Sequence, residues 1–183
     1  MIPYKTYETE RLLLKPTSLE DASFLLELLN TPKWLEYIGD RKVHTVEDAK
    51  EYIKTRMLPQ LSKLGYSNNT LIRKSDNSKV GICGLYNRKG VDGVDIGFAL
   101  LPKYEKKGYA FESSNKLIHV AFNELEQTQV NAITKENNMS SQILLGKLGL
   151  TFRGTTKLLD EDEELLLYSI EKQNWKNKKP IET

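Results

Sequence analysis

Two stretches of this sequence carry residue types whose spacing could do chemistry. In "ALLPKYEKKGYAFES", residues 99–113, Lys106 and Lys107 stand directly before Gly108, and Tyr109 and Ala110 follow at what reads as the mouth of a helix. The first turn of a helix leaves backbone N–H groups unpaired and carries about half a positive charge, so two lysines and a glycine there read as a cradle for an anion such as phosphate, with a solvated helix cap as the other reading of the same residues. In "GVDIGFALL", strand alternation puts Val94, Ile96, Phe98 and Leu100 on one face and Asp95 on the other, beside the small residues Gly97 and Ala99. A carboxylate in that place can take a proton from a bound group, directly or through water, once desolvation lifts it above its ordinary pKa of about 3.9. The reading that stays open beside this one is a polar residue on a solvent face.

The remaining candidates offer less. Cys83, inside "VGICGL", reads as a small core residue rather than a covalent carrier, and His44 and His119 read as solvated, so no nucleophilic triad can be assembled. One cysteine and two histidines make neither an internal disulfide nor a zinc-spaced cluster, and no metal is expected. The lysine-glycine cradle lacks both the G-x-x-x-x-G-K-[ST] and the G-x-G-x-x-G spacings, which disfavours nucleoside triphosphates and dinucleotides. Glu112 falls in the first helical turn, where it favours the helix dipole; lining an acceptor site is its other reading.

The elements that must position these groups follow from periodicity. Residues 9–16, "TERLLLKP", read as a first strand ended by Pro16, and "TSLEDASFLLELLN" reads as a helix capped by Thr17 or Ser18. A second helix opens with Thr45 as cap and Asp48 as its capping-box partner; Pro59 is expected to bend or break it and Gly65 to close it. Three short antiparallel strands follow, in "YSNNTLIRK", "KVGICGLYNRK" and "VDIGFALLP", separated by the turn-forming "SDNS" and "GVDG". After them come a long helix from Gly108, a strand "VNAIT", a helix "NMSSQILLGKLG", a strand near "LTFRGT" and, beyond the acidic run 160–164, a last strand "ELLLYSIEK". The expected order is β-α-α-β-β-β-α-β-α-β-β, an α/β chain of the α+β kind.

With 183 residues the chain fits one domain, residues 1–183, with a core over about 9–172 and a basic, polar, frayed tail over 173–183. Its 27 basic and 25 acidic side chains leave a net charge of +2, too little to argue for nucleic acid. No apolar run approaches the roughly 18 residues of a membrane span, and the first ten residues lack the apolar core of a signal peptide, which reads as a cytoplasmic protein with no membrane partner.

The segment Glu105, Lys106, Lys107, Gly108, Tyr109, Ala110 resembles the pyrophosphate loop of the GNAT superfamily of N-acetyltransferases, [Q/R]-x-x-G-x-[G/A], matching at the fourth and sixth positions and departing at the first. "TERLLLKPTSLEDASFLLELL", "VGICGLYNR", "VDGVDIGFALLP" and "NNMSSQILLGKLGLTFRGT" are similar, in order, to segments of its ribosomal-protein N-terminal acetyltransferase branch. The resemblance implies a mixed, mostly antiparallel sheet, splayed between the family's fourth and fifth strands and flanked by helices, with acetyl-CoA as acetyl donor in the opening. It assigns pantetheine contacts to Phe98, Leu100 and Leu101 and pyrophosphate contacts to Lys106, Gly108, Tyr109 and Ala110, with Lys107 adding charge. Asn138 becomes a cofactor contact, Ser141 a group that steadies or protonates the departing thiolate, and Asp95 a general base.

The implied activity is direct acetyl transfer to a primary amine, either a protein N-terminus or a small molecule, by a monomer or homodimer. Lys106 and Gly146 stand where many relatives carry glycine and glutamate, and Glu105 would oppose a phosphate if it faced the loop. These departures keep a non-catalytic acyl-CoA-binding module as the alternative.

Overall fold

The computed structural model describes residues 4–159 and 163–176. Its strands are β1 (Tyr7–Glu8), β2 (Leu12–Pro16), β3 (Asn68–Arg73), β4 (Lys79–Tyr86), β5 (Val94–Leu100), β6 (Gln129–Thr134), β7 (Thr151–Lys157) and β8 (Glu164–Glu171). The α-helices are α1 (Ala22–Leu29), α2 (Pro32–Tyr37), α3 (Val46–Tyr52), α4 (Leu58–Leu64), α5 (Tyr109–Asn123), α6 (Met139–Leu148) and α7 (Lys172–Lys176). The strands form one mixed sheet in the order β1-β2-β3-β4-β5-β6-β8-β7. Pairing is antiparallel for β1–β2, β2–β3, β3–β4, β6–β8 and β7–β8, and parallel where β5 meets β6 at Val94↔Val130 and Asp95↔Asn131. The mixed, mostly antiparallel sheet with flanking helices is the fold class expected.

Contacts divide the chain into two compact units, Met1–Tyr86 with Gly97–Leu117 and Asn87–Ile96 with Ile118–Thr183. The first unit buries Leu25, Leu28, Ile53, Met57, Ile82 and Leu101 in one cluster, with Trp34 of α2 and Ala99 of β5 packed into or against it. The second buries Phe122, Val130, Ala132, Leu145, Leu148 and Ile170.

Several elements depart from the sequence expectation for identifiable reasons. The first strand starts at Leu12 rather than at residue 9, because Thr9 is spent on a turn: its N–H donates to the Leu12 carbonyl (2.9 Å) and its hydroxyl accepts from the Leu12 N–H (3.0 Å). The turn returns the chain to the short strand β1. Helix α2 was signalled by a Thr-Pro pair, with Thr31 Oγ1 accepting from the Trp34 N–H and Pro32 in the first turn, where a missing N–H costs nothing.

Pro59 stands at an interruption of the second helix, where a bend or break is expected: α3 ends at Tyr52. The proline lies in the first turn of α4, which follows the π-helical turn Ile53–Met57; the widened turn accommodates the missing donor. Thr45 and Asp48 close the expected reciprocal capping box at 3.0 and 2.9 Å. The basic tail is helical in its first part: α7 sets the Trp175 ring 6.0 Å from that of Phe122. Residues 177–183, and positions 160–162 of the acidic run, lie outside the described residues.

Candidate active site

In the first unit, β5 ends at Leu100 and a 3-10 turn, Pro102–Tyr104, leads to the lysine-glycine segment. Lys106 has φ +57° and Gly108 φ +83°, so the backbone turns twice through the left-handed region before α5 begins at Tyr109. Glycine suits the second of these twice over: a Cβ there would meet Arg11 Nη2 at 3.1 Å as well as strain the backbone. Lys106 occupies the first at the cost a side chain bears in that region, the conformation that explains why a glycine would be at home there.

The first intrahelical bond of this stretch is the Glu112 N–H to the Gly108 carbonyl, 3.0 Å. The N–H groups of Tyr109, Ala110 and Phe111 precede it, so the helix leaves them to an outside acceptor. Lys106, Lys107 and Gly108 are all exposed. Unsatisfied donors, two lysines and an exposed glycine fit a diphosphate.

Around this mouth is an ionic clamp that no local sequence pattern announces. Glu112 accepts from Thr9 Oγ1 (2.5 Å), the Arg11 N–H (2.8 Å) and Arg11 Nε (2.7 Å), while Arg11 Nη1 donates to the Lys107 carbonyl (2.9 Å). Burial works to raise the pKa of Glu112, but the bonds from Thr9 and Arg11 outweigh it and hold the carboxyl below the usual range. Glu112 therefore ties the β1–β2 turn to the start of α5. The Arg11 guanidinium also lies 4.7 Å above the Tyr109 ring, and Arg73 Nη1 is 3.5 Å from the Tyr109 hydroxyl. The buried Tyr109 side chain is occupied with packing, which leaves its backbone N–H as the group available to a ligand.

Glu105 pairs with Lys33 of α2, which neutralises the acid at the loop's first position. Phe98 and Leu100 are half-buried on β5. The Leu101 N–H donates to the Val80 carbonyl (3.0 Å) and the residue's own carbonyl accepts from the Tyr104 N–H (2.9 Å), so the donor is engaged and the carbonyl keeps a second lone pair. Cys83 is buried, its thiol pushed up to about 11 by that burial, as suits a core residue.

In the second unit, Asp95 is 1% exposed, which rules out the solvent-face reading. Arg88 Nε donates to both of its oxygens, at 3.1 and 3.0 Å. Burial raises its pKa, and the charge and hydrogen bond of Arg88 pull it back, leaving the carboxyl pushed up to about 6. A carboxylate with that affinity is a far better proton acceptor near neutrality than one at about 3.9.

Asn138 and Ser141 also meet in this unit. Asn138 is the N-cap of α6, its Oδ1 accepting from the Ser141 N–H at 3.1 Å. Both are half-buried. The Ser141 hydroxyl is left out of the capping bond, and Asn138 keeps its amide NH2.

Comparison with known proteins places these features in a family. Residues 11–151 match the model described as an acetyltransferase (GNAT) domain. The curated "Uncharacterized N-acetyltransferase p20" of Bacillus licheniformis is 30% identical over 152 residues, covering 82% of this chain and 84% of that protein. Among solved structures, a GNAT-family acetyltransferase from Bacillus anthracis aligns with a TM-score of 0.76 at 23% identity, over 92% of this chain and 99% of that one. The ribosomal L7/L12 alpha-N-protein acetyltransferase RimL, in complex with coenzyme A, aligns with a TM-score of 0.75 at 14% identity, over 91% and 98%.

Proposed function

Because the chain belongs to the GNAT acetyltransferase family, we propose that it transfers acetyl from acetyl-CoA to a primary amine by direct attack in a ternary complex, with Asp95 as general base. The observation that carries the assignment is a buried carboxylate pushed up to about 6 on β5, the strand that leads into the anion cradle. Acetyl-CoA supplies an activated thioester. The N–H groups of Tyr109 and Ala110, with Lys106, Lys107 and Gly108, hold its diphosphate, and the outer half of β5 through Phe98 and Leu100 takes the pantetheine arm.

An acceptor amine must be neutral to attack. At pH 7 an α-amine of pKa about 8 is neutral in roughly a tenth of molecules and a lysine of pKa about 10.4 in fewer than one in a thousand, which favours a protein N-terminus or a small amine of similar basicity. As the C–N bond forms, the nitrogen loses its proton to Asp95; as the C–S bond breaks, the thiolate is met by Ser141. The transfer to Asp95 runs directly or through a water.

Of the departures that motivate the non-catalytic alternative, the acid at Glu105 is paired with Lys33, which supports the catalytic reading, while Gly146 still stands. Thiol release measured over a panel of amines tests the proposal. Asp95→Asn should lower kcat/KM by about 10²- to 10⁴-fold; a value within twofold of wild type would end the base assignment.

A further inference from the structure

We infer that Arg88 is a positioning residue for this reaction: its guanidinium aims the Asp95 carboxylate and keeps it ionised, so that the loop 87–93 determines where in the pH range the base is competent. The inference rests on the assignment of Asp95 as base. Its geometry lies wholly within the second unit.

A single N–H, Arg88 Nε–H, is shared between the two oxygens of Asp95. Such a hold fixes the plane of the carboxylate and leaves each oxygen further lone pairs, so the group can still accept a proton. Arg88 itself is held in place by the loop that carries it. The Val91 N–H closes a turn onto the Arg88 carbonyl (3.2 Å), Asn131 Nδ2 of β6 donates to the Asp92 carbonyl (2.6 Å), and Thr156 Oγ1 of β7 donates to the Gly90 carbonyl (3.2 Å). Asn131 is also the residue paired with Asp95 across β5 and β6, and its Oδ1 accepts from Gln129 Nε2 (2.7 Å). One asparagine thus ties β6 to the loop that presents the arginine.

Among the described residues, one charged group bears on Asp95. From the loop, Arg88 is the cation that bears on it; from β6, the residues alongside are Val130 and Asn131, both neutral. Asp92 takes part through its backbone carbonyl. Burial favours the protonated acid and Arg88 opposes that, so removing the guanidinium leaves desolvation without its counterweight.

The test compares wild type with Arg88→Gln, Arg88→Lys and Asp95→Asn. The first readout is the 13C titration of the Asp95 carboxyl carbon, assigned by its loss in Asp95→Asn. The second is the ratio of each variant's kcat/KM to that of wild type at the same pH, which cancels the acceptor amine's own ionisation. Arg88→Gln should raise the midpoint by about one pH unit or more, and its activity ratio should fall at least roughly fivefold between pH 8 and pH 6. Arg88→Lys, which keeps a charge but re-aims it, should move the midpoint by about half a unit in the same direction, and it serves as the test if Arg88→Gln folds poorly by circular dichroism.

A midpoint unchanged in the folded variant, or an activity ratio equal at both pH values, makes the pair purely structural and overturns the inference even if Asp95→Asn is inactive. An Asp95→Asn enzyme within twofold of wild type at every pH removes the base assignment, and this inference with it.

Discussion

Replacing Glu112 by alanine would open the clamp at the start of α5, and its cost can be worked from the bonds. The carboxylate takes three donors, at 2.5, 2.7 and 2.8 Å, and its side chain is 16% exposed. A hydrogen bond to a charged group contributes about 1.5 kcal/mol or more when sheltered. The Arg11 side chain is 44% exposed, so water recovers much of its share. A net loss of about 2 kcal/mol follows, equivalent to a fall in Tm of about 4–8 °C for a chain of this length.

The sign of the pH dependence is fixed by the depressed pKa of Glu112. A carboxyl held below its unfolded value stabilises the fold above that value and ceases to do so as pH falls through the folded value. The Tm gap between wild type and Glu112→Ala should therefore be constant above about pH 5.5 and narrow on acidification below about pH 4. Scanning calorimetry across this range measures the gap, and hydrogen exchange of the Arg11 and Leu12 amides should show the local opening. A Tm within about 1 °C of wild type at pH 7, or a gap that does not narrow in acid, would refute the clamp.

Gly146 is exposed in the last turn of α6, where an added Cβ meets nothing within 4 Å. Gly146→Ala should stabilise the protein by about 0.5–1 kcal/mol, read as a higher urea midpoint with unchanged slope. Asn138 and Ser141 should separate by readout. Asn138→Ala loses the cap, costing about 1 kcal/mol of stability, whereas Ser141→Ala should leave the Tm alone and lower kcat at saturating acetyl-CoA.

What was legible in the sequence is what is decided within a few residues. Thr45 and Asp48 announce a capping box, Gly65 and Gly149 close their helices, and the alternation of β5 with the Lys-Lys-Gly run after it places the cradle at a helix mouth. The same local reasoning placed an interruption at Pro59 without its form, a π-helical turn, and it passed over α2, whose Thr-Pro start was available to be read. Nor does local reasoning show which backbone group of Leu101 is engaged: its N–H is bonded to Val80, on another strand.

The electrostatics of the candidate site are set by partners that no spacing rule brings together. Glu112 and Arg11 lie 101 residues apart, and Glu105 and Lys33 lie 72 apart, yet these pairs engage the carboxylates beside the candidate cradle. The pair Arg88 and Asp95 is closer, 7 residues across the turn "GVDG", but an arginine before a glycine-rich turn looks like any solvated cation until the turn is folded. Residue type and alternation, together with the family resemblance, nominate Asp95. Its fitness as a base depends on burial competing with one guanidinium, a balance that exists only once β6 and β7 hold the loop in place. For that reason Arg88, rather than any further residue of the cradle, is the position where a substitution should change the pH at which the enzyme works.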